Sequence, residues 1–179
     1  MVSGDATDDH PFFEAPVGRV KGGASWWRGV RAQVGSHTCV INPSVTCVIV
    51  DEAQQEVVLV RARGLNGWVT PGGIVEQGER PADTAVREAR EETGLSVEPV
   101  RLVGCYSGSP FIMRYDNGDT VQGVIFAFLC RVIGGSVTTR DPGEITQVRR
   151  FSRRCLPAMQ PHWRDVLDDA LSGCTGCVG

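Results

Sequence analysis

Long apolar runs are missing from this sequence. The longest, Val45–Val50 and Val124–Cys130, fall far short of the roughly 18 residues that a membrane-spanning helix needs. The acidic opening MVSGDATDDH also lacks the basic and apolar parts of a secretory signal. No membrane partner and a cytoplasmic location are therefore expected. Strong charge of one sign is missing too. With 18 basic and 21 acidic residues the net charge is -3, so no overall field draws the chain to a nucleic-acid polymer or an anionic bilayer, and any polyanion must be bound locally. Lysine is nearly absent, Lys21 being the only one. Arginine's planar fork suits bidentate phosphate contacts, although genomic base composition produces the same bias.

Seven cysteines are an odd number, and Cys47, Cys105 and Cys130 sit in apolar strand-like runs where cysteine behaves as a small buried hydrophobe. No disulfide is expected. Cys174-Thr-Gly-Cys177 has the spacing of a redox or half-zinc pair. It lacks a second pair and a preceding strand and helix, and it lies beside a Gly-rich end, so it reads as a frayed tail.

What is present fits one globular body. The length of 179 residues, with 41% hydrophobic and 22% charged, allows a single core and excludes collagen and disorder. Residues 1–24 carry Gly, Pro and Asp without apolar periodicity and read as a flexible arm. Residues 25–172 form the single domain, and 173–179 a flexible tail. Within the domain, Ser25 caps a short helix over Trp26–Val34, whose apolar face needs the core or a second subunit, so a homodimer is one expectation. Strands are predicted at Ser44–Val50 and Val57–Arg61, joined as a hairpin by the polar Asp51–Glu56, and at Val97–Tyr106, Thr120–Val132 and Gln147–Phe151. A C-terminal helix is predicted at His162–Leu171. The class is mixed α/β.

The chemistry concentrates in the stretch from Trp68 to Leu95. Pro81 suits a first helical position and Gly94 a C-terminal cap, and Ala82, Ala85, Val86 and Ala89 recur at helical spacing, which predicts a helix over Pro81–Thr93. Its Glu88, Glu91 and Glu92 project from one side. Three like charges so spaced destabilise a helix unless a cation or arginine neutralises them, and hard divalent ions prefer such oxygens. Gly72-Gly73 permits a tight turn that exposes carbonyl oxygens, and Glu76 and Glu79 add acids on the loop before the helix.

The spacing Gly73, five residues, Glu79, seven residues, Arg87-Glu88-Ala89-Arg90-Glu91-Glu92-Thr93-Gly94-Leu95 resembles the Nudix box at every fixed position. Ala89 is smaller than the family's usual aliphatic residue. The resemblance continues more loosely from about residue 28 to residue 171. It implies an α/β/α sandwich with a mixed central sheet, and a hydrolase that cleaves the pyrophosphate link of a nucleoside diphosphate joined to another group with Mg²⁺ or Mn²⁺. It further implies that Glu88 and Glu92 bind metal directly, that Glu91 binds a second metal or orients water, and that the Gly72 carbonyl completes the cage. Arg87 would hold Glu79 or a metal-binding carboxylate in place. The general base is either Glu144, on the loop before the last strand, or Glu88 or Glu91 within the box.

For the substrate, Arg61 and Arg63 alternate with Val60 and Ala62 on a strand and so face one way, and one of them is expected to clamp phosphate. The arginines at 149, 150, 153 and 154 read as a solvated patch, His37 and His162 as structural, and Trp68 as packed beneath the loop. Pro110, fifteen residues beyond Leu95, resembles the proline that marks ADP-ribose-type members. ADP-ribose or a related nucleotide sugar therefore leads as the substrate, with nucleoside triphosphates as runner-up. A Nudix-shaped, non-catalytic ligand-binding module is the rival of a different class, and the retention of Glu79, Glu88, Glu91 and Glu92 argues against it.

Overall fold

The computed structural model describes residue 30 and residues 32–35, 38–115 and 118–179. Val30 and residues 32–34 are helical. The rest of the helix expected at Trp26–Val34 lies outside the described residues, as do the arm 1–24 and His37.

Eight strands follow: β1 (Cys39–Val50), β2 (Glu56–Ala62), β3 (Gly72–Ile74), β4 (Leu95–Tyr106), β5 (Ile112–Arg114), β6 (Thr120–Gly135), β7 (Ile145–Ser152) and β8 (Cys177–Val178). Helix α1 (Pro81–Thr93) lies between β3 and β4, and α2 (Pro161–Ser172) between β7 and β8. The sheet order is β7-β2-β1-β6-β4-β8, with β3 on β1 and β5 on β6. The sheet is mixed. Its central pair, β1 and β6, is parallel over twelve residues from Cys39↔Thr120 to Val50↔Arg131, whereas β1 with β2 and β4 with β6 are antiparallel.

Both faces of this sheet are covered, because apolar residues stand on both sides of the central strands. Val45, Cys47 and Ile49 of β1 join Ala85 and Ala89 of α1, while Val48 and Val50 join Val166, Leu167 and Ala170 of α2. The expected α/β/α sandwich is present. Each helix begins on a proline, Pro81 or Pro161, and ends on a left-handed glycine, Gly94 at φ 71° or Gly173 at φ 89°. Proline's fixed φ and missing N–H suit the first turn, and only glycine takes the left-handed cap without steric cost.

Three strands escaped the sequence reading. β3 and β5 are three residues each, too short for a period-2 pattern. The tail expected to fray instead supplies β8, which pairs parallel with β4 at Gly104↔Cys177 and Cys105↔Val178, and Cys174 and Cys177 form a disulfide. The reason is an open edge. β4 offers unpaired backbone groups there, and the Ser107 N–H donates to the Gly179 carbonyl at 2.7 Å. Trp68 packs beneath its loop as expected, edge-on to Phe151 at 4.7 Å.

Candidate active site

Helix α1 crosses the sheet above β1, β3 and β4, and its buried face carries more than alanines. Thr84, Ala85, Ala89, Glu92 and Thr93 are buried, while Val86 is 38% exposed. The expected apolar stripe is thus narrower, and Glu92 is not on an exposed face. A carboxylate so placed must be compensated, and the Gly72 N–H donates to Glu92 Oε2 at 2.8 Å. Gly72 has a further role, since a Cβ there would strike the Val45 backbone of β1, while a Cβ on Gly73 would push the Glu88 carboxylate aside. The double glycine lets β3 pass close to β1 and beneath the Glu88 side chain.

Arg87 organises the acids. Its Nε and Nη2 donate to Glu79 Oε1 and Oε2 at 2.7 and 3.0 Å, and Nη2 also reaches the Ile74 carbonyl at 3.1 Å. Nη1 bonds Glu88 Oε1 at 2.7 Å and Glu91 Oε2 at 3.3 Å. Glu79 also accepts from the Thr84 hydroxyl at 2.8 Å. Such a bidentate pair is geometrically specific. The Arg87 hydrogen bonds bring the Glu79 carboxyl down to about 2. Burial has the opposite effect on Glu88, lifting it to about 7 against the pull of Arg87. Glu92 is raised by burial and by the nearby Glu88, and Glu144 by burial and by Asp141 and Glu91.

These groups border a cavity of about 600 Å³. Gly72, Arg87, Glu88, Glu91, Glu92 and Glu144 all line it, so the structure brings together the expected metal-binding and catalytic residues. Glu79 does not line it and meets it only through Arg87, which does. Asp141 also lines it, unforeseen in the sequence. Its Oδ1 accepts from the N–H groups of Gly143 and Glu144 at 3.0 and 3.1 Å, fixing the loop that carries Glu144. The rest of the lining includes apolar and aromatic side chains, Ile112, Met113, Phe111 and Trp163 among them, beside polar ones such as Thr46 and Gln160. The Phe111 and Trp163 rings meet edge-on at 5.5 Å. His162, read as structural, borders the cavity too.

Arg61 and Arg63 are placed otherwise than expected. Val60 and Ala62 line the cavity, and neither arginine does. Arg61 stacks over Trp68 at 5.5 Å. Arg63 follows the end of β2, where its guanidinium donates to the Pro142 carbonyl at 3.2 Å. The alternation that put both on one side of a strand could not say which side held the cavity.

Among the described residues lining the cavity, Arg87 is the one arginine, too little to balance this many acids. Buried carboxylates held above their ordinary range are the donor set for a hard divalent cation such as Mg²⁺ or Mn²⁺. Glu88 and Glu92 would hold it, with Glu91 and Glu144 near. The tightest gathering of ligand atoms among the described residues is elsewhere, at Asp169, Cys174 and Cys177.

Known proteins resemble this chain in sequence and fold. The NUDIX domain family matches residues 40–170. The ADP-ribose pyrophosphatase of Methanocaldococcus jannaschii is 32% identical over 134 residues, 73% of this chain and 75% of its own. A MutT-like protein of Streptomyces ambofaciens is 35% identical over 134 residues, 71% of this chain and 77% of its own. A UDP-X diphosphatase crystal structure, 23% identical, superposes with a TM-score of 0.60 over 88% of this chain and 75% of that one, a likeness of fold. The complete box, its assembly around one cavity and these matches together make the chain a member of the Nudix hydrolase family, a pyrophosphohydrolase acting on the phosphoanhydride bonds of nucleoside-diphosphate-linked substrates.

Proposed function

We propose that the substrate is ADP-ribose or a related nucleotide sugar, hydrolysed at its pyrophosphate with Mg²⁺ or Mn²⁺ bound. The observation that carries this reading is the mixed lining of the cavity. Acids tied together by Arg87 border it, and so do Phe111 and Trp163, whose rings meet, with Ile112 and Met113. A pyrophosphate brought by metal to the acids leaves a nucleoside or sugar to bury against rings and aliphatic groups. The Methanocaldococcus relative bears an ADP-ribose name, and Pro110, whose spacing from the box led to the same branch, borders the cavity.

Bound there, a metal would supply charge neutralisation for the phosphates and a lowered pKa for the attacking water. Glu88 and Glu92 would hold it. Glu144 is the general base: its carboxylate faces the cavity from the far loop, and its raised pKa brings proton acceptance closer to neutrality. Glu91, half-exposed and tied at 3.3 Å to Arg87, would hold the water or a second ion. Arg87 and Glu79 are positioning residues, since the guanidinium is already committed to carboxylates and a carbonyl.

A panel of ADP-ribose, other nucleoside diphosphate sugars and nucleoside triphosphates, assayed with Mg²⁺ and with Mn²⁺, tests the reading. AMP and ribose 5-phosphate are the expected products from ADP-ribose. Preferential release of pyrophosphate from triphosphates would instead favour the MutT-like alternative suggested by the Streptomyces relative.

A further inference from the structure

The C-terminal hook carries chemistry that hydrolysis does not use. Gly173 ends α2, the Cys174 N–H donates to the Asp169 carbonyl at 3.1 Å, and the chain turns so that Cys177 pairs with β4. Arg101 clamps the turn through the carbonyls of Cys174 and, at 2.6 Å, Ala170. The Tyr106 hydroxyl donates to Asp169 Oδ2 at 2.8 Å. As a result the two sulfurs and an Asp169 carboxylate oxygen all lie within 4.8 Å of one another.

We propose that this hook is a zinc site when its disulfide is reduced, with Cys174, Cys177 and Asp169 as three ligands and water as the fourth. Tetrahedral zinc, with bonds of about 2.3 Å to sulfur and about 2.0 Å to oxygen, needs ligand atoms about 3.5–4 Å apart. Small side-chain adjustments reach that geometry from the observed cluster. Without metal the neighbouring carboxylate keeps the reduced cysteines as neutral thiols, and a bound cation would favour their thiolate form, so the cluster offers two sulfurs and an oxygen to one ion. Thiolate donors select zinc over magnesium, so the hook and the box take different metals. Tyr106 orients Asp169 from behind, as outer partners do in metal sites. Opening the disulfide is a balanced exchange. An external dithiol attacks one sulfur, its own two sulfurs close into a disulfide as the Cys174–Cys177 bond breaks, and its two protons pass to the protein thiols. Zinc binding then releases protons from those thiols.

The test uses the full chain, reduced with a phosphine and freed of metal. Titration with Co²⁺ as a zinc probe should give one equivalent with a near-ultraviolet thiolate charge-transfer band, and added Zn²⁺ should abolish the band. The band should vanish in Cys174→Ser/Cys177→Ser, and affinity should fall at least tenfold in Asp169→Asn, both variants being checked for folding by circular dichroism. Should the double variant not fold, Cys177→Ser alone serves. Glu92→Gln should retain the band, separating the hook from the box. Absence of the band, its survival in the folded cysteine variants, or a disulfide that no reductant opens in the folded chain would each overturn the proposal.

Discussion

Glu92, proposed as a metal ligand, also bears on stability. It is 8% exposed and accepts the Gly72 N–H, yet its carboxylate is held above its ordinary range by burial. Glutamine can still accept that hydrogen bond without a buried charge. Glu92→Gln is therefore expected to keep or raise the melting temperature while lowering kcat at least about a hundredfold. Activity within about threefold of the parent would remove Glu92 from the metal site. Glu144→Gln should lower kcat by about a hundredfold or more with little change in KM, as loss of a group acting in the transition state does. If the acid limb of the pH–rate profile persists in that variant, the base is Glu88 or Glu91. At this scale the box was legible because its spacing is fixed by one helix and one turn. Asp141 was not, since an acid in an Asp-Pro-Gly turn gives no sign that the turn folds back over a helix far earlier in the chain.

The helices were legible almost to the residue, with α1 at its expected bounds and α2 one residue longer at each end. Proline and glycine punctuate both, so the local signal is strong. Short strands β3, β5 and β8 were hidden because tertiary pairing, and not side-chain pattern, makes them strands. Arg61 and Arg63 were misplaced for a related reason: a period of two assigns residues to faces but does not name the faces. Two substitutions probe the elements. Leu167→Ala, at a fully buried position of α2, should cost about 2–5 kcal/mol in urea unfolding. Gly94→Ala should cost at least about 1 kcal/mol, because alanine resists the left-handed backbone and its Cβ would strike Ser136 and Thr138. Equal stability in the latter would mean that α1 can end differently.

For the molecule as a whole, the acids give opposite pH dependences. The depressed carboxyl of Glu79 contributes stability that is present above its ordinary 4.5 and lost as pH falls toward about 2. The raised carboxyl of Glu88 costs nothing below 4.5 and costs progressively more as pH rises through about 7. Metal-free protein should therefore lose stability between about pH 5 and pH 7, and Glu88→Gln should make that loss shallower. Urea midpoints across this range, with and without Mn²⁺, measure it, and a flat metal-free profile would refute it. The order of assembly follows from the central parallel pair. Strands β1 and β6 meet only after about 80 intervening residues have been looped, and α1 lies inside that loop. Closing so long a loop delays native pairing. The helix that carries the box acids is thus complete as a segment early in the chain, but the rest of the cavity lining exists only once the loop has closed. If the box acids hold the ion as proposed, that capacity is acquired late in folding, and Mn²⁺ affinity would report on the finished sheet.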